Sequence, residues 1–392
     1  MPWKECQKMD EKLRFVSRHL EGESISSLCR EFGISRVTGH KIVDRYRQSG
    51  LEAFTDRSRR PCRLANKLPF QIENLIIQIK KEYPDWGAPK IRERMLTHHP
   101  DIRTPAKSTV HAILDRHGLV KHKRRRGPKL QGTPLAMTDV PNELWCTDYK
   151  GEFMLGDRRY CYPLTVTDFS SRFLLCCEGL ESTRESLAFT VFERLFREFG
   201  LPKRIRSDNG VPFSSPHALH GLSRLSVWWL RLGIEIERIK PGNPQQNGRH
   251  ERMHRTLKQA TTRPPGGNML QQQDKFEDFI QQYNYERPHE ALNMKTPAQF
   301  YQSSERTYQG LPELEYHFHD KSVVITECGR LCLDRKKIHI STVLAGQRVG
   351  IRQVDDQIWQ VSFMDYDLGY FDLETGRLDP GANPFGPKVL TM

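Results

Sequence analysis

The sequence predicts a multidomain chain, with all-α helix-turn-helix units in front, an α/β core on a mixed sheet, and a small β-barrel at the end. Three observations predict it. Short capped helices joined by glycine turns fill residues 10–48. From residue 142 apolar runs of strand length alternate with helical stripes. Beyond residue 318 only short strand-like runs separated by Gly or Asp turns remain.

Charge divides the chain in the same way. The net charge is +13 over 392 residues; residues 1–130 hold 29 Lys+Arg against 15 Asp+Glu, residues 131–319 hold 23 of each, and residues 320–392 hold 9 against 10. A cationic front and a neutral body point to a polyanion partner for the first third. No apolar run approaches the roughly 18 residues of a membrane span, and the first residues lack the apolar core of a secretory signal. A soluble cytoplasmic protein without membrane contact is expected. Nine cysteines, odd in number and without a CxxC pair, argue against a disulfide framework, and no structural zinc is expected.

Residues 1–56 are expected to form a helix-turn-helix domain. Leu13, Val16 and Leu20 recur at helical spacing; Ser24 caps a second helix, Gly33 breaks it, and Ser35 caps a third. Ile34, Ile42, Val43 and Tyr46 would pack inward, leaving Arg36, Thr38, His40, Lys41 and Arg45 to face a DNA major groove. Gly39 argues against a helix here, since glycine costs about 1 kcal/mol relative to alanine. After a basic connector, residues 64–120 repeat the scheme. Ile72, Leu75, Ile76 and Ile79 mark one helix, and Val110, Ile113 and Leu114 mark the last, whose leading end carries Lys107, Ser108 and Thr109. The linker 121–134 then concentrates Lys123, Arg124, Arg125 and Arg126, suited to phosphate contacts.

Residues 135–305 read as the core. LWCTDYKGEF, RRYCYPLTVTDFSS and RFLLCCEGL are three strands of a meander. STRESLAFTVFERLFREFG is a helix with Ser182 and Glu185 as a capping box, and KRIRSDNG, HGLSRLSVWWLRLG and IEIERI continue as strand, helix, strand. In PGNPQQNGRHERMHRTLK, Asn243 is placed to N-cap a helix and Gln246 to close its capping box. Asn247, Glu251, Arg255 and Lys258 recur at spacings of four, four and three, on one face of that helix. Residues 318–380 supply SVVITE, KKIHIS, QRVGIRQV, QIWQVSFM and LGYFDLE, the expected small β-barrel.

Three acids stand in polar, turn-like settings after apolar runs: Asp148, Asp208 and Glu251. Asp168, also at a strand end, is a reminder that position alone does not make a site. Metal-assisted phosphoryl transfer needs about three or four oxygen ligands converging on two hard cations.

WCTDYKG, SDNG and PGNPQQNGRHERMHRTLK, followed by YNYERPHEAL and TPAQFY, resemble the catalytic core of DDE transposases of bacterial insertion sequences, in the superfamily of retroviral integrases. The resemblance covers roughly residues 135–301 and implies an RNase H-like core. It implies that Asp148 bridges two Mg²⁺ or Mn²⁺ ions, with Asp208 completing one ion site and Glu251 the other. It also implies that Asn247, Arg255 and Lys258 contact a DNA end, and that His289 is structural. One spacing departs from the pattern. Asp208 and Glu251 leave 42 residues between them where the retroviral pattern has 35, and SSPHALHGLSRLSVWWLRLG accommodates the excess.

The expectation is therefore a transposase. It would bind double-stranded DNA at the terminal inverted repeats of its own element through residues 1–130, cleave to expose a 3′ hydroxyl, and transfer that strand into target DNA. It would act in a bacterial nucleoid as at least a dimer. The rival expectations are a domesticated, catalytically silent DNA-binding regulator and a nuclease without transfer activity.

Overall fold

The computed structural model describes residues 8–55, 68–120, 135 and 137–386. It divides into two units, residues 1–73 and 74–392.

In the first unit α1 (Lys8–Leu20), α2 (Ile25–Glu31) and α3 (Arg36–Ser49) form three short helices. Ser24 accepts from Ser27 N–H and Ser35 from Thr38 N–H, so both sequence-predicted caps form. Gly33 turns the chain at φ 64°. α1 buries Phe15 and Val16, whereas Leu13 and Leu20 of the expected stripe are exposed. Gly39 is a packing residue. A Cβ there would stand 2.4 Å from Cys29 Sγ and 3.1 Å from Phe15 Cζ, so α2 and α3 meet only because it is absent.

The second helical group is α4 (Phe70–Glu82), α5 (Ala88–His98) and α6 (Lys107–Arg116). Ile76, Ile79, Ile91, Met95, Val110, Ile113 and Leu114 are buried, and Tyr83 stacks on Trp86 at 3.9 Å.

The core sheet has six strands. β1 (Trp145–Tyr149), β2 (Phe153–Met154), β3 (Tyr160–Asp168) and β4 (Leu174–Leu180) form the antiparallel meander. β5 (Arg204–Ser207) joins β1 in parallel and β6 (Glu235–Arg238) joins β5 in parallel. The crossovers are α7 (Glu185–Phe199) and α8 (Arg224–Arg231); the latter, with the 3₁₀ turn Leu219–Gly221 before it, fills the long stretch between Asp208 and Glu251. Two expected caps are replaced. α7 starts behind Arg184, and Glu185 Oε1 instead accepts the Leu225 N–H at 2.8 Å, at the start of α8. Pro244–Asn247 forms a 3₁₀ turn without a side-chain cap before α9 (Gly248–Thr261), and Gln246 Oε1 accepts the Lys240 N–H at 2.7 Å instead of closing the expected box. α10 (Met269–Gln281) is capped by Asn268 and runs into a π turn, Gln282–Glu286. There the buried Asn284 amide bonds both Leu174 N–H and Leu174 C=O, at 2.8 and 2.9 Å.

The expected C-terminal barrel is not formed. β7 (Lys321–Val324), β10 (Arg348–Asp355), β11 (Ile358–Phe363), β12 (Tyr366–Asp372) and β13 (Arg377–Pro380) make an open sheet in the order β13-β12-β11-β10-β7. β8 (Arg330–Leu333) and β9 (Lys336–His339) pair only with each other, so among the described residues no strand bridges β7 to β13 and closes the sheet. This sheet shares a core with α8. Val227 and Leu230 pack with Leu331, Val361 and Phe371, while Leu225 and Trp229 of the same helix pack with Phe192 and Ile205 of the main core.

Candidate active site

The parallel pairing of β1 with β5 aligns two acids. Trp145 pairs with Ile205 and Cys146 with Arg206, each sixty positions on, and Asp208 is likewise sixty positions beyond Asp148. Both therefore come to the same end of neighbouring strands, whose separation in a sheet is about 4.8 Å. Asp148 lies within β1 and Asp208 directly follows β5. Asp208 Oδ1 accepts the Gly210 N–H at 3.1 Å; burial raises the pKa of Asp208 and that bond opposes the rise.

Asp148 is pushed up to about 7, first by burial, then by the charge of Asp208 and, more weakly, by that of Glu251. The Tyr149 N–H and the Lys150 ammonium pull the other way. Both other acids thus act on Asp148 through space, although Glu251 is exposed on α9. Among the described residues no three His, Cys, Asp or Glu side chains stand close enough to hold a metal ion. The chemistry of the donor set nonetheless fits a hard dication: a carboxyl whose ionisation is opposed first by burial and then by neighbouring carboxylates is relieved by a cation between them.

Behind Asp148 lies a buried hydrogen-bonded group. Thr165 pairs with Asp148 across β1 and β3, and its hydroxyl donates to Asp148 C=O at 3.0 Å. The same oxygen lies 2.8 Å from His250 Nε2 and 2.7 Å from His254 Nε2, and Thr167 Oγ1 is 2.8 Å from His250 Nδ1. The two imidazoles meet edge-on at 4.6 Å. His254 Nδ1 faces Asp148 Oδ2 at 3.8 Å. Burial lowers the pKa of His250 to about 3 and that of His254 further, the latter also through His250 and Lys150, so both rings are neutral.

A cleft of about 420 Å³ runs along α9, lined by Lys150, Glu251, His254, Arg255, Lys258 and Arg263. Four cations and one acid make it suited to a polyanion. Asn247 is not on this cleft; it is buried at the start of α9, its Oδ1 without a partner among the described residues.

Arg36, Thr38, His40, Lys41 and Arg45 are all exposed on α3. Lys107 and Ser108 are exposed at the start of α6, and Thr109 is half-buried. Lys123, Arg124, Arg125 and Arg126 lie outside the described residues. Sequence reasoning passed over Thr165, His250, His254, Lys150 and Arg263. The HxxxH spacing of His250 and His254, one turn apart on the apolar side of α9, was the available signal.

Comparison with known proteins agrees with the sequence motifs. Models described as "Integrase core domain" match residues 139–244 and 232–297, a "Helix-turn-helix domain" matches 11–61 and a "Homeodomain-like domain" matches 38–114. The chain is 26% identical over 183 residues to an uncharacterized 31.7 kDa protein of insertion element IS407 from Burkholderia multivorans, covering 46% of this chain and 62% of that one. It is 21% identical over 296 residues to an uncharacterized 39.2 kDa protein of insertion element IS476 from Xanthomonas euvesicatoria, covering 72% and 79%. The chain thus spans less than two thirds of the first of these relatives. Among solved structures, the HTLV-2 integrase catalytic core domain in complex with magnesium is 15% identical, covers 41% of this chain and 97% of that one, and has a TM-score of 0.33.

Proposed function

We propose that this chain, which belongs to the integrase-core family of insertion-element proteins and carries helix-turn-helix domains ahead of the core, is a transposase that cuts and joins DNA at the ends of its own element. The observation that carries this reading is the common level of Asp148 and Asp208 on β1 and β5, with Glu251 in electrostatic reach of Asp148.

Asp148, Asp208 and Glu251 would hold two Mg²⁺ or Mn²⁺ ions, which when bound make water or a 3′ hydroxyl a better nucleophile and neutralise charge on the leaving 3′ oxygen. Arg255 and Lys258, lining the cleft beside Glu251, hold the DNA end by its phosphates. Asn247, at the start of α9 and buried in the DNA-free chain, is the third residue proposed to contact the DNA end. In the first step water adds to the phosphorus of an end phosphodiester, the P–O3′ bond breaks, and the 3′ hydroxyl is released. In the second, that hydroxyl adds to a target phosphodiester and expels its 3′ oxygen in turn.

The exposed α3 and α6 side chains, with the 121–134 linker, read double-stranded terminal repeats. The division into 1–56, 64–120, 135–305 and 318–380 separates end recognition from chemistry. Joining two ends needs at least two copies, working in the bacterial cytoplasm on the nucleoid. Among the described residues no helix is long and apolar enough to cross a membrane.

Incubation of the full chain with end DNA and Mg²⁺ should give nicked and then joined products. Asp148→Asn should abolish both while retaining end binding; cleavage by the pure variant would refute the assignment. The second reading, a silent DNA-binding regulator, draws on the absence of a closed ion-holding group among the described residues. It requires that the unsubstituted chain bind ends yet yield no products with Mg²⁺ or Mn²⁺.

A further inference from the structure

The turn between α4 and α5 is built as a stiff foot planted on the core. Tyr83 stacks on Trp86 at 3.9 Å, and Lys80 Nζ donates to Pro84 C=O at 2.6 Å and to Trp86 C=O at 2.9 Å. Tyr83 is only 4% exposed. Its hydroxyl donates to Glu286 Oε2 at 2.5 Å and accepts from Arg94 Nη2 at 3.1 Å. A hydroxyl given to a carboxylate makes a short, charge-assisted bond. Here it spans 203 positions of sequence and joins the second helical group to the core.

Both ends of that bond are anchored. On the helical side α5 packs on α6, and Arg92 Nε donates to Pro105 C=O at 3.2 Å, two residues before α6 begins at Lys107. The leading end of α6 is thereby set relative to Tyr83. On the core side Glu286 closes the π turn whose Asn284 bonds Leu174 of β4. Leu174 pairs with Thr167 of β3, and Thr167 with Cys146 of β1, two residues from Asp148. Two strand spacings, about 10 Å, separate the pinned strand from the one that carries the aspartate. From α6 to Asp148 each step is a hydrogen bond or a packed element.

We propose that Tyr83, Arg94 and Glu286 are positioning residues that determine which phosphodiester of the element end is cut, by holding α6 at a set distance from Asp148. The inference rests on the end-cutting role proposed above. A reading helix locked to the chemistry meters the cut from the sequence it reads, whereas one on a free tether leaves the choice of bond to the active site alone. Successive phosphates of one strand rise by about 3.4 Å, so a junction that gives by a few ångströms brings a neighbouring bond to the acids.

The test maps, to the nucleotide, the cuts that the full chain makes in end DNA with Mg²⁺. The unsubstituted chain should cut one bond. When one base pair is inserted between that bond and the base pairs whose protection is lost in Lys107→Ala, the cut should move so as to keep its distance from the protected sequence. Tyr83→Phe and Glu286→Ala should bind ends as the unsubstituted chain does, spread their cuts over neighbouring bonds, and slow at the original bond by roughly tenfold to a hundredfold. Glu286→Gln keeps an acceptor for the hydroxyl and should keep the single cut. A cut that stays with the terminal bases despite the insertion, or a single cut by Tyr83→Phe and Glu286→Ala even at a lower rate, would overturn the inference and leave the end-cutting role standing. Unchanged protection in Lys107→Ala would do the same, since α6 would then read nothing. An unsubstituted chain that binds ends without cutting would overturn both. Should the variants not fold, the insertion decides the matter alone.

Discussion

Arg206 and Glu237 sit opposite each other on the parallel strands β5 and β6, joined by a 2.7 Å bond from Arg206 Nε to Glu237 Oε2, with exposures of 2% and 9%. The same guanidinium donates to Gln246 C=O at 3.2 Å and lies 5.0 Å from the Phe169 ring. It therefore ties the sheet to the turn that leads into α9. Glu237→Ala leaves a buried cation short of its carboxylate and should cost about 3–5 kcal/mol, read as a lower urea midpoint. The double substitution Arg206→Met with Glu237→Leu should cost clearly less, because no charge is then stranded. Equal losses would mean that the pair contributes shape alone.

Asp148 makes the metal-free protein sensitive to pH. Its folded pKa, about 7, exceeds the ordinary carboxyl value of 3.8. The folded state thus binds more protons than the unfolded state between those values, and stability falls as pH rises through the window. In EDTA, Asp148→Asn should be more stable than the parent by roughly 1–3 kcal/mol at pH 8 and indistinguishable from it at pH 4. A gain of the same size at both pH values would show that the carboxyl does not titrate in this window.

At Gly39, helix propensity and packing oppose each other, and packing should win. Alanine would add about 1 kcal/mol of helix propensity but must displace Cys29 Sγ from 2.4 Å, an overpacking that costs about 1–3 kcal/mol. Gly39→Ala should lower the thermal midpoint of the helix-turn-helix unit and weaken end binding. Adding Cys29→Ala should recover part of both.

Asn284 holds α10 to the sheet through its two bonds to Leu174. Asn284→Ala leaves a buried N–H and C=O without these partners, at about 1–3 kcal/mol for each group. Hydrogen exchange at β4 should rise; unchanged protection would place the anchoring elsewhere.

Elements whose signal is local were legible in the sequence. Ser24, Ser35 and Gly33 mark boundaries by their own backbone chemistry, and the Ala188–Phe196 stripe of α7 needs only its period. The placement of Asp148 and Asp208 near strand ends was legible, although that position alone did not single them out, since Asp168 ends β3 as well. What failed depended on partners distant along the chain. Glu185 reads as a local cap, yet its carboxylate bonds Leu225. Gln246 reads as half of a capping box, yet it serves Lys240. Thr165 in a β-strand looks like an ordinary β-branched residue; only the meeting of β3 with α9, more than eighty positions on, gives its hydroxyl two imidazoles. Strand count alone suggested a barrel, because nothing local reveals that β8 and β9 pair only with each other.

The two-sided burial of α8 bears on how the protein can be dissected. A fragment ending after residue 305 would keep Leu225 and Trp229 covered but strip the C-terminal sheet from Val227 and Leu230. The catalytic piece produced that way would carry a greasy scar where its neighbour had been, and would clump unless those two side chains were made polar.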